Sequence, residues 1–161
     1  MNTHFAACLL STLLLALPAL AADVYVSTSG DDNNGNGSAQ APYRTIVHAV
    51  ESLGSAGGTV HVADGEYEET SSAASIFTLN GPIQIVGESG HPERAIVRYT
   101  GTTARIAWLA HADARIANLT LHGGYAGSGN GGGNVYIDSA GGTLENCILY
   151  GGYEKSWAGG G

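Results

Sequence analysis

The sequence predicts an all-β solenoid of short stacked strands, closed at its N-terminal end by one short α-helix. Three observations carry that expectation. Glycine supplies 25 of 161 residues against only four prolines, and β-branched residues and leucines sit between the glycines in short regular runs. Such runs ask for strands joined by tight turns. Next, RIANLTLHGGYAGSGNGGG, from Arg115 to Gly133, is answered by TLENCILYGGYEKSWAGGG from Thr143 to Gly161, a 28-residue period that carries Asn118 onto Asn146. A unit of that size cannot bury its own apolar face and must stack on its neighbours. Finally, alternation within each copy has period two: Leu119 and Leu121 point one way while Thr120 and His122 point the other, and Cys147 and Leu149 repeat the inward pair.

Taken in order, residues 1–21 read as a secretory signal peptide. FAACLLSTLLLALPAL is too short for a comfortable membrane span and leads to the A-x-A cleavage pattern Ala19-Leu20-Ala21. Removal of that segment takes Cys8 with it and leaves Cys147 as a lone, small core residue, so stability rests on packing rather than on a disulfide. No membrane span is expected in the rest, and the chain is placed outside the cell or on its surface.

Residues 22–57 form the expected entry to the stack. A first strand runs from Val24 to Ser27, a polar Gly/Asn loop follows, and then a helix in which Pro42 suits the first turn and Gly54 the end. Ile46, Ala49, Val50 and Leu53 give that helix one apolar face, suited to covering the open end of a stacked core. The coils occupy 58–161, with strands TVHVA, SIFTL, PIQIVG, AIVRY, IAWLA, RIANLTL, NVYID and TLENCILY. Spacing is irregular at first and becomes strict over 105–161, where Trp108 falls on Tyr136 and Leu109 on Ile137. Gly131-Gly132-Gly133 leads into the strand at Asn134, so Gly159-Gly160-Gly161 is expected to lead into a further strand of a longer protein.

The period, the short strands and an asparagine before the last strand of each unit resemble the right-handed parallel β-helix of the pectate-lyase-like superfamily. Asn118 and Asn146 occupy the matching places. The resemblance implies three strands per coil and an inward asparagine ladder at one tight turn, where stacked amides satisfy each other and the turn backbone. On that reading the sequon Asn118-Leu119-Thr120 is structural rather than a glycan acceptor.

Several chemistries find no support in the residues. GSGNGG, from Gly127 to Gly132, fits the nucleotide pattern G-x-G-x-x-G, but a strand rather than a helix follows, so no nucleotide is expected. Fourteen acidic against six basic residues, a formal net charge of -8, argue against nucleic acid and anionic membranes. Asp31-Asp32-Asn33-Asn34-Gly35-Asn36 and Asp64-Gly65-Glu66-Tyr67-Glu68-Glu69 are candidate Ca²⁺ loops; both lack D-x-D-x-D-G spacing and read as solvated turns. The histidines lack zinc-ligand spacing. When the two copies are aligned, Glu145 falls on Ala117, Arg115 on Thr143 and Asp138 on Ala110, so no catalytic residue is assigned.

What remains is surface. Tyr125 and Tyr153 recur at one position in the turn after the last strand, with Trp157 in the same loop, and are candidate contacts for a glycan or a partner. The expected function is therefore a secreted or cell-surface β-helix acting as adhesin, surface structure or glycan-binding module, with a polysaccharide or cell-surface component as partner and no cofactor. The alternatives are the N-terminal part of a polysaccharide lyase or glycoside hydrolase and, from Tyr43-Arg44-Thr45-Ile46 and Gly65-Glu66-Tyr67, a resemblance to pectinesterases.

Overall fold

The computed structural model describes residues 22–127 and 131–155. The expected signal peptide, the centre of GSGNGG, Trp157 and the closing glycines lie outside the described residues. Strand β1 (Ala22–Val26) comes first, then helix α1 (Ile46–Leu53). Two full coils follow: β2 (Gly58–Val62), β3 (Gly65–Glu69) and β4 (Ser75–Leu79), then β5 (Ile83–Gly87), β6 (Ala95–Tyr99) and β7 (Arg105–Leu109). The next coil holds β8 (Arg115–Ala117), β9 (Thr120–His122), β10 (Tyr125–Ala126) and β11 (Val135–Ile137). After it come β12 (Thr143–Glu145), β13 (Ile148–Tyr150) and β14 (Tyr153–Glu154).

These strands pair across coils rather than within them. One face is ordered β1-β2-β5-β8-β12, a second β13-β9-β6-β3, a third β11-β7-β4, and β10 pairs with β14. Every named strand pair is parallel. The chain is a parallel β-helix, wound in the right-handed sense that parallel crossovers take.

Register converts the period-two pattern into aliphatic columns. Val24, Val60, Ile85, Ile116 and Leu144 stack on the first face. Tyr67, Val97, Leu121 and Leu149 stack on the second, and Leu79, Leu109 and Ile137 on the third. These columns form a single continuous core in the first three coils, and Cys147 packs against its edge. Ile137, Ile148 and Leu149, in the last strands of their faces, are largely uncovered.

Helix α1 buries Ile46, Ala49, Val50 and Leu53, the face expected from its sequence, against β1 to β4. Its start differs from the expectation. The N-cap is Thr45, whose hydroxyl accepts from His48 N at 3.2 Å, so Pro42 lies outside the helix. Pro42 instead serves the entry loop, where its carbonyl accepts from Asp31 N. Gly54 ends the helix with φ of 55°, a left-handed conformation that glycine adopts without strain.

Two further expectations are corrected. GEYEE is not a turn but the strand β3, paired in full with β6. Its alternation is masked in the sequence because Glu69 as well as Tyr67 points inward. The inward tyrosine hydroxyl donates to Ala63 O at 2.8 Å, and burial pushes its pKa up to about 12. Tyr125 and Tyr153 likewise stand in paired two-residue strands rather than in a turn.

Candidate functional site

The asparagines sit where the first and second faces meet, between β8 and β9 and between β12 and β13. Asn146 Nδ2 donates to Asn118 Oδ1 at 2.9 Å, and Asn118 Nδ2 donates to Gly87 O one coil earlier at 3.3 Å. Both residues have positive φ, 58° and 47°, which asparagine tolerates better than most residues. The Asn118 amide is thus engaged in the turn rather than displayed.

On the other side of the stack, Tyr125 and Tyr153 pair in register and their rings stack with centroids 5.2 Å apart at 26°. Tyr125 is half-buried against the core, while Tyr153 is 58% exposed. The neighbouring third face carries its own aromatic pair. Trp108 and Tyr136 are in register with rings edge to face at 5.8 Å, and Trp108 Nε1 donates to Asp138 Oδ2 at 3.0 Å. Arg105 lies over the Tyr136 ring at 4.9 Å and donates to Gly131 O at 2.9 Å. The Tyr125 amide donates to Ala104 O, which joins the tyrosine pair to the start of β7. One side of the solenoid therefore displays two aromatic pairs on consecutive coils.

The second face holds a row that the sequence did not disclose. Glu68, Arg98, His122 and Tyr150 occupy one outward column on four successive coils. Arg98 is ion-paired with Glu66, and the His122 and Tyr150 rings stack at 4.2 Å and 17°. Reading the sequence at one constant offset cannot find this column. More chain separates Glu68 from Arg98 than separates Arg98 from His122, although each pair is in register on neighbouring coils. The usable signal is confined to residues 65–68, whose alternation before the inward Glu69 places Glu66 and Glu68 on the same outward side as Arg98.

At the cap end this row opens into a cleft of about 380 Å³ lined by Thr28, Arg44, Thr45, Glu66, Glu68 and Glu69. Glu69 is only 4% exposed and its carboxylate accepts from Ile46 N at 2.7 Å, at the first turn of α1. Burial pushes its pKa up to about 7, and nearby Asp32 adds to the rise. For Asp32, burial works to raise the pKa, but donors on Thr45 and Arg44 outweigh it and hold the carboxyl below the usual range. Asp31 is turned back on its own loop, and bonds from the Asn34 side chain and from the Asn33 and Asn34 amides lower its pKa. These two loop carboxylates are thus held by local donors.

Among the described residues, no strand pairing sets one carboxylate opposite another. Glu145 pairs in register with Ala117 and Thr143 with Arg115, while Arg115 reaches diagonally to Glu145 at 2.7 Å. Among the described residues, no group of three or more metal-ligating side chains gathers, and no helix is long and apolar enough to cross a membrane.

Fold and surface together define a parallel β-helix protein of the architecture found in the pectate-lyase-like superfamily, with aromatic and polar rows along its outer faces. Residues 28–103, from the entry loop through most of the second coil, match the sequence model of a family described as a protein of unknown function (DUF1565). No curated protein and no solved structure matches the chain.

Proposed function

We propose that this protein is a secreted or cell-surface β-helix that holds glycan along the side carrying its aromatic pairs. The observation that supports this reading is the stacking of Tyr125 on Tyr153, in register on consecutive coils with the outer ring largely exposed. A stacked pair fixed by backbone pairing presents a rigid apolar platform at little conformational cost, suited to the C–H face of a sugar ring. Trp108 and Tyr136 extend the platform on the next face, with Asp138 and Arg105 as polar neighbours. Affinity electrophoresis through gels containing soluble polysaccharides tests it. The protein is expected to be retarded, and Tyr153→Ala to weaken that retardation about tenfold, the effect of removing roughly 1.4 kcal/mol of stacking. Unchanged mobility of the wild-type protein across the panel would refute the reading.

A further inference from the structure

We propose that the outward column Glu68–Arg98–His122–Tyr150 is a second glycan site, on a different face from the tyrosine pair, and that it selects uncharged polysaccharide lying along the solenoid axis.

Register is the first ground. The four side chains belong to four consecutive coils of one parallel sheet, so successive members stand about 4.8 Å apart, on the scale of a single sugar ring. Inward Tyr67, Val97, Leu121 and Leu149 alternate with them, which fixes each outward direction.

Complementarity is the second. Carboxylates only accept hydrogen bonds, a guanidinium only donates, and imidazole and phenol do both. A row that mixes these groups matches sugar hydroxyls, each of which donates and accepts. The stacked His122 and Tyr150 rings add an apolar platform at one end.

Unmet hydrogen-bonding capacity is the third. Arg98 Nε and His122 Nδ1 are shielded from water and have no hydrogen-bond partner, although the two residues are direct neighbours in register. Orphaned polar nitrogens cost stability, and two on adjacent rungs of one outer column call for a reason. Both side chains are only half-buried, so a rotation that turns either nitrogen outward exchanges an unmet group for a bond to a ligand hydroxyl.

Charge then selects among sugars. Along the row and in the cleft at its end, three carboxylates, Glu66, Glu68 and the buried Glu69, stand against the two guanidiniums of Arg98 and Arg44, and Glu66 already engages Arg98. A uronate or sulfate group entering this row meets net repulsion, and the chain's formal charge of -8 adds to it. Hydroxyls meet none.

The experiment is affinity electrophoresis of the full chain through gels containing hydroxyethylcellulose, galactomannan or polygalacturonate, with and without added NaCl. Retardation in a neutral gel, insensitive to salt and absent from polygalacturonate, is expected. In a Tyr153→Ala background, which takes the tyrosine platform out of the readout, Arg98→Gln and Tyr150→Ala should each weaken it about tenfold, while Gln84→Ala on the first face leaves it in place. Tyr150 is exposed, so Tyr150→Ala keeps the test sound if Arg98→Gln unfolds, as thermal melts will show. Retardation that survives Tyr150→Ala but is lost in Tyr153→Ala overturns this second site and leaves the tyrosine platform standing. Retardation by polygalacturonate alone, or by none of the three gels, overturns it as well.

Discussion

Asn146 lies directly over Asn118, donating its side-chain amide to the side-chain Oδ1 of Asn118 at 2.9 Å, and Gly87 completes the column one coil earlier. Two demands coincide at Asn118: a positive φ and a bridging amide. Asn118→Gly keeps the first and loses the second, at about 1 kcal/mol. Asn118→Ala loses both and should cost about 2–3 kcal/mol. Urea midpoints of the two variants check that order. A costlier variant still is Gly87→Ala, because a Cβ there would stand 2.2 Å from Asn118 O.

Glu69 ties the cap to the first coil and makes that junction sensitive to pH. Its folded pKa, about 7, lies above its unfolded value of 4.5. The folded state therefore retains its proton more tightly, and stability from this group is fully present below 4.5 and lost as pH rises through about 7. Glu69→Gln keeps an acceptor for Ile46 N without the titration. It should match the wild type in acid and exceed it above pH 7 by on the order of 3 kcal/mol at most. Urea midpoints across pH, with amide exchange in α1 as a local probe, measure the difference.

Thr45 holds α1 twice, accepting from His48 N and donating to Asp32 Oδ2 at 2.8 Å. Thr45→Ala is expected to cost about 1–2 kcal/mol, while Thr45→Ser retains most of it. Thermal unfolding of the pair reads this out.

Leu121 and Leu149 occupy the same inward column one coil apart, but Leu121 is fully buried whereas Leu149 is 42% exposed. Leu121→Ala should lose about 2–5 kcal/mol through the cavity it leaves, and Leu149→Ala clearly less. Equal losses in chemical denaturation would mean that the outer coil is as tightly covered as the inner one.

The sequence made legible whatever repeats at fixed spacing. The offset that carries Asn118 onto Asn146 also placed Trp108 on Tyr136, Leu109 on Ile137 and Tyr125 on Tyr153, and strand pairing follows it. The apolar face of α1 was equally plain, because four residues at helical spacing have no other use. Strand β3 was hidden because Glu69 occupies an inward position, which alternation reserves for apolar groups; only the helix terminus folded against it makes that placement tolerable. The Glu68–Arg98–His122–Tyr150 column was hidden for a different reason. Its members come from coils whose turns differ in length, and pairing across such turns is decided by packing rather than by counting.

Those unequal turns separate two properties of the molecule. On the first face Gly58 pairs with Ile83 and Ile85 with Ile116, the second step taking more chain than the first, yet the strands remain in phase. Chain length is absorbed in the corners while the distance between rungs stays fixed. The outer faces thus behave as rulers whose graduations cannot be moved by insertion or deletion, only relabelled by substitution.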